Sequence, residues 1–215
     1  MGRTSPRGLA VTRHSIITLY SDPVDIHSHR VRLVLAEKHV AADIVTMDGV
    51  DVPGDVMDLN PYGTAPTLVE RDLVLYDSRI ILEYLDERYP HPPLLPVDPV
   101  SRATFRMYIY RVEKDWYSRV EQIQAGGRGA DKARKELKES LVAGAPVIAA
   151  KPYFMSDEFS LVDASIAPLL WRLPHLGIEL SGKVASAYNA YAARLFKREA
   201  FARSLTEAEK EMRLK

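Results

Sequence analysis

Apolar positions along this chain follow two different rhythms, and the change falls near residue 90. Before it, they come in short β-branched runs. Residues 15–20 (S-I-I-T-L-Y) predict a first strand and residues 42–47 a second, weaker one. Between them, residues 30–38 (R-V-R-L-V-L-A-E-K) read as a helix with so many apolar positions that most of it should be covered. Residues 67–69 and 73–76 form two more short strands around a turn at 70–72. Asp77-Ser78 then caps a helical pattern over 78–89, with Ile80, Ile81, Tyr84 and Leu85 assigned to one face. Pro66 cannot donate to a ladder, so it belongs at a strand entry or edge. Ala65–Pro66 is also a candidate cis bond. The order β-α-β-(α)-β-β-α fits a small mixed sheet with helices on its faces, a thioredoxin-type plan.

Beyond residue 90 strand signals vanish. Five of the 14 prolines lie within residues 90–99, which forbids a regular helix there and predicts a linker. Phe105, Ile109, Val112, Trp116, Val120 and Ile123 then recur at spacings of three and four, predicting one long amphipathic helix. Gly126, Gly127 and Gly129 mark a loop. Residues 131–141 are helical again, with Lys132/Glu136 and Lys135/Glu139 at i,i+4 spacing, the mark of a solvated face. Ser160 and Asp163 form a capping-box variant opening an apolar helix over 161–173 that carries Trp171. Helices near 181–197 and 206–214 follow. The expected organisation is a flexible extension at 1–13, an α/β domain at 14–90, a proline-rich linker at 91–101 and an all-helical domain at 102–215.

Composition narrows the chemistry. Lys plus Arg number 29 and Asp plus Glu 29, so no net charge drives the chain toward nucleic-acid backbones. The absence of cysteine removes disulfides, thiolate metal sites and a catalytic thiol. No apolar run approaches the roughly 18 residues of a membrane span. Residues 1–13 carry arginines without an apolar stretch, unlike a signal peptide, and Pro6 breaks a myristoylation pattern. A cytoplasmic protein is expected.

Catalytic motifs are sparse. No G-x-S-x-G, P-loop or G-x-G-x-x-G occurs. His27 and His29, around Ser28, suggest a metal pair on an exposed loop, but no second ligand cluster accompanies them, and no metal is expected. The pairs Asp86-Glu87 and Glu113/Asp115 fall on helices where adjacent positions diverge, and read as solvent groups.

A thioredoxin-like half, a proline linker, an all-helical half and a Ser-x-x-Asp cap together resemble the glutathione transferase fold over about residues 14–205. The marks are A-P-T-L at 65–68, Asp77-Ser78 and the Ser160/Asp163 box. Within that superfamily, E-Y-L-D-E-R-Y-P-H-P-P-L, R-V-E-K-D-W-Y, S-D-E-F-S-L-V-D and S-L-T-E-A-E-K-E-M-R are similar to the stringent starvation protein A family of bacteria. The wider resemblance implies a hydroxyl or thiol donor for a glutathione thiolate just before the first helix. That position falls at about Asp25, between Val24 and Ile26, and an ionised Asp cannot donate to a thiolate.

No catalytic residue is therefore expected. Tyr20, at the end of the first strand, is the main objection, with Ser21 and Ser28 behind it. A remnant pocket of Tyr20, Ala65, Pro66, Asp77 and Ser78 is expected, and no cofactor. Pro90, His91, Pro92 and Pro93 read either as a stiff linker or as a partner-binding surface; the narrower resemblance implies the surface. It also implies a homodimer that associates with RNA polymerase holoenzyme and modulates transcription in starvation, stationary phase or acid stress, without reading DNA itself. The alternative is a glutathione-dependent transferase using Tyr20.

Overall fold

The computed structural model describes residues 17–47 and 54–213; the expected extension at 1–13 lies outside them. Strand β1 (Ile17–Ser21) pairs in parallel with β2 (Ala42–Thr46) and antiparallel with β3 (Thr67–Glu70), which pairs antiparallel with β4 (Leu73–Leu75). The strand order is β2-β1-β3-β4. Ile17, Leu19 and Ser21 are buried and Thr18 and Tyr20 half-buried, the alternation expected when one face is more deeply covered.

Helix α1 (Ile26–Glu37) starts four residues earlier than the apolar pattern implies. Its first turn is polar, so periodicity misses it, yet the Asp25 carboxylate accepts from Ser28 N at 2.6 Å and fixes the start. Every residue from Ser28 to Glu37 is buried, as the sequence suggests. His27 and His29 therefore lie on a helix rather than an exposed loop. After α2 (Gly54–Leu59), helix α3 (Ser78–Arg88) buries Ile81, Leu82 and Leu85, but Ile80 is 56% exposed and leaves the assigned face.

The predicted long helix is not uniform. Helix α4 (Pro99–Arg111) opens into a π-helical turn at Val112–Tyr117 before α5 (Ser118–Ala125). Val112, Trp116 and Val120 span eight residues, more than the roughly 7.2 of two α-turns, and the wider turn absorbs the excess. It also buries Tyr117, whose hydroxyl donates to Ser165 O at 2.5 Å. Helix α6 (Ala130–Ala150) outruns its prediction through Gly144, where a Cβ would stand 3.0 Å from Tyr188 Oη, and Pro146. Helices α7 (Leu161–Arg172), α8 (Gly182–Phe196), α9 (Glu199–Ser204) and α10 (Glu207–Glu211) follow. Among them α9 has no counterpart in the sequence reading. No described helix is long and apolar enough to cross a membrane.

The two halves are stitched by buried charge. Glu209 on α10 accepts from Arg32 of α1 at 2.7 Å and from Arg172 of α7 at 2.5 Å. His29 Nδ1 lies 2.9 Å from Arg172 Nη1 and Nε2 lies 3.1 Å from Ser204 Oγ. Nδ1 also lies 3.3 Å from Glu209 Oε1. The Ser204 hydroxyl, however, donates to Phe201 O at 2.8 Å and so accepts from Nε2, which carries the proton and leaves Nδ1 to accept from Arg172. Burial, then Arg172 and Arg32, lower the His29 pKa well below the ordinary histidine range.

The unfolded chain, at the usual value of about 6.5, therefore binds this proton first. Stability should be greatest above that pH and fall as pH drops below it, by up to about 1.4 kcal/mol per unit. Urea unfolding of wild type and His29→Gln between neutral and mildly acidic pH checks this. Equal slopes for the two proteins would remove His29 as the cause.

Candidate functional site

The corner expected from Pro66 and Asp77 is built by loop geometry. Asn60, fully buried, donates to Thr64 O at 3.1 Å and Thr67 Oγ1 at 2.9 Å, fixing the turn that delivers Pro66 to β3. The Ala65–Pro66 and His91–Pro92 bonds are both cis. Asp77 caps α3 through Arg79 N at 2.8 Å and also holds the Arg79 guanidinium at 2.9 Å. Burial pushes the Asp77 carboxyl up, but the hydrogen bonds and charge of Arg79 outweigh it and leave it below the ordinary range.

Ala65, Pro66, Asp77 and Ser78 meet in a cavity of about 240 Å³, with His27, Tyr76, Arg79 and Glu113. Tyr20 is absent from its walls. The Ser78 hydroxyl already has neighbours: His27 Nδ1 at 3.0 Å and Arg30 Nη2, which donates to it.

The other hydroxyl candidates are committed to the chain. Ser21 accepts from Arg32 Nη1, and Ser28 Oγ accepts from Asp22 N at 3.2 Å. Asp25 spends its carboxylate on capping α1. His27 and His29 enter separate networks, one at Ser78 and one at Ser204 and Arg172, so they do not form a ligand pair.

Two acids expected in solvent are shielded. Glu113 pairs with buried Arg30 and, at 3.1 Å, with Arg79. Asp86, 6% exposed, accepts from Lys38 Nζ at 2.6 Å and Leu94 N at 2.8 Å. Their cationic partners lie far away in sequence, which explains why helix periodicity misread them. Asp115 and Glu87 remain near the surface, paired with Arg111 and Arg102.

The Asp86 pair also supports the proline-rich segment. Pro90, His91, Pro92 and Pro93 are exposed, while Lys38 Nζ donates to Pro92 O at 2.5 Å from beneath. Leu94 and Leu95 are buried, and Leu94 O accepts from Leu161 N at 2.9 Å. The segment is thus anchored on both sides of its exposed tip.

Comparison with known proteins gives the family. Residues 26–88 match the glutathione S-transferase N-terminal domain, and residues 107–199 match the C-terminal domain. A stringent starvation protein A homolog of Pasteurella multocida (strain Pm70) is 52% identical over 200 residues, covering 91% of this chain and 93% of that protein. The homolog of Coxiella burnetii (strain RSA 493 / Nine Mile phase I) is 50% identical over 202 residues, covering 94% and 97%. The chain belongs to the stringent starvation protein A family.

The solved structures agree on the fold. A theta class glutathione S-transferase from Xanthomonas axonopodis pv. citri, with glutathione bound, superposes with a TM-score of 0.80 at 22% identity, covering 91% of this chain and 99% of that one. Ure2p in complex with glutathione gives 0.79 at 14%, covering 87% and 92%. This member of the stringent starvation protein A family thus has a thioredoxin-like α/β domain followed by a helical domain. Arg30, Glu113, Lys38 and Asn60 escape a reading by hydrophobic pattern. Only Asn60 carried a local signal, in the turn-rich N-P-Y-G.

Proposed function

We propose that this chain is a non-enzymatic transcription regulator, cytoplasmic and homodimeric, that binds RNA polymerase holoenzyme and adjusts gene expression under starvation, stationary-phase or acid stress. The observation that carries the reading is the exposed Pro90–His91–Pro92–Pro93 tip held over the buried Lys38–Asp86 pair. A pre-ordered, proline-rich tip loses little conformational freedom when a protein grips it. The names of the homologs support the family role. The commitment of Ser21, Ser28 and Asp25 to intramolecular bonds argues against a thiolate donor, and the position of Tyr20 outside the corner's walls argues against the transferase alternative. Self-association has its own support: Ile80, Met107 and Tyr110 are exposed on α3 and α4 beside the paired Glu83 and Arg106. An apolar patch rimmed by charge is the usual form of a protein contact.

The test is gel filtration of the protein with RNA polymerase holoenzyme at physiological salt. Wild type should co-elute with polymerase and otherwise run as a dimer. Changing Pro90, His91 and Pro92 to Ala should abolish co-elution without altering the dimer or its melting temperature. Free elution of wild type would overturn the polymerase reading. Undiminished co-elution of the triple variant would move the contact elsewhere on the surface. Consumption of a model electrophile with glutathione, lost in Tyr20→Phe, would establish the enzyme instead.

A further inference from the structure

Residues 111–117, R-V-E-K-D-W-Y, belong to the family resemblance but have no part in the proposed function. All but the first form the π-helical turn, a rare conformation that is frequent at functional sites. On the side of that turn toward α6, Val112, Asp115 and Trp116 join Tyr108, Gly144 and Phe154 around a cavity of about 220 Å³. None of its walls comes from the α/β domain, so it is separate from the corner at Pro66 and Asp77.

The walls are aromatic and held in place. Trp116 is 8% exposed, and its indole Nε1 donates to Ser140 Oγ at 2.8 Å. Phe154 meets Tyr108 edge-on with ring centres 5.2 Å apart, and its backbone N–H donates to Asp163 at 2.8 Å. Gly144 keeps the floor low, since a Cβ there would stand 3.7 Å from Trp116 Cζ2 and crowd Tyr188 Oη. Walls fixed in this way lose little freedom when a ring enters between them. At the mouth the chemistry changes to one cation and one anion. Arg111 Nε lies 3.4 Å from Asp115 Oδ2, and the two side chains are 67% and 45% exposed. This is a long contact in solvent, worth little, and neither group has another charged partner among the described residues. The guanidinium Nη groups and the second carboxylate oxygen stay available.

We propose that this cavity binds a free aromatic amino acid of the phenylalanine type. The ring lies among Trp116, Tyr108 and Phe154, the carboxylate meets Arg111 and the ammonium meets Asp115. An apolar cavity of about 150 Å³ already holds a benzene ring, and the space beyond it suits a short zwitterionic head. Apolar walls with a few placed polar groups are the usual form of a small-molecule site. A neutral apolar compound would leave both charges at the mouth unused. The site lies wholly in the helical domain and does not depend on the polymerase reading.

Full-length protein is titrated calorimetrically with L-phenylalanine, with 3-phenylpropionate, which lacks the ammonium, with phenethylamine, which lacks the carboxylate, and with glycine. Phenylalanine should bind saturably, each half-charged analogue about three- to fivefold more weakly, and glycine not at all. Asp115→Asn should weaken phenylalanine but not 3-phenylpropionate, and Arg111→Gln should weaken phenylalanine but not phenethylamine. Ala143→Leu fills the cavity from an exposed position on α6. It should abolish binding while leaving the melting temperature and the gel-filtration volume unchanged. Should that variant fail to fold, Val147→Trp fills the cavity from the same wall and decides the question. Absence of phenylalanine binding by wild type overturns the proposal, and so does binding that survives the filled cavity. A filled cavity that turns a dimer into a monomer also overturns it, because the space then belongs to a contact between copies.

Discussion

Replacing Glu209 with Gln should lower folding stability by about 3–5 kcal/mol, because it leaves two buried guanidinium groups without their shared counter-charge. Glu209 is fully buried, and Arg32 and Arg172, which both donate to Oε1, are themselves 7% and 1% exposed. The other carboxylate oxygen accepts from Thr206 N at 3.0 Å, closing the capping box of α10. An amide of the same shape retains part of that cap but offers an N–H to groups that can only donate. Urea unfolding is the measurement. Glu207→Gln, on the exposed first turn of the same helix, is the control and should change stability by no more than about 0.5 kcal/mol. A loss below about 1 kcal/mol for Glu209→Gln would mean that water or an anion reaches the arginines in place of the carboxylate.

Asp163→Ala should cost about 3–5 kcal/mol, well beyond the 1–2 kcal/mol of a helix cap alone. Oδ2 accepts from Ser160 N at 2.9 Å, as a capping box requires, and also from Ser160 Oγ at 2.8 Å. Oδ1 accepts from Phe154 N at 2.8 Å and from the Tyr191 hydroxyl at 2.5 Å. Tyr191 is fully buried, so its hydroxyl would lose its partner where water does not replace it, a penalty of about 1–3 kcal/mol in itself. Ser160→Ala removes only the hydroxyl half of the cap and should cost about 1 kcal/mol. The two variants, compared by urea unfolding, separate these contributions. Equal losses would mean that the bonds to Phe154 and Tyr191 add nothing.

What the sequence made legible follows from which forces leave a periodic trace. The β-branched runs at Ile17 and Thr67 and the apolar stripe through Ile109 and Val120 mark burial by repetition, and the structure places strands and helices there. Ser160 and Asp163 marked a helix start by spacing alone. The charged interior had no such trace. Arg30, Arg32, Arg172 and Glu209 are buried with partners distant in the chain, and nothing in the local pattern names those partners. One signal was available and passed over: Thr206 and Glu209 carry the capping-box spacing that opens α10. The corner was half legible. Ala65, Pro66, Asp77 and Ser78 were placed together, whereas Glu113 arrives from the helical domain through a π-turn that no pattern announced.

The bond from Arg32 to Glu209 joins residues 177 positions apart. At roughly 5–20 residues per second of ribosomal synthesis, about 9 to 35 seconds separate the appearance of the first partner from that of the second. During that interval helix α1 has no carboxylate to neutralise its inward arginine and cannot adopt its final covered position. The thioredoxin-like half, although made first, therefore completes its interior after translation has passed α10. The face of α1 that meets Glu209 therefore stays uncovered by α10 until synthesis is almost complete.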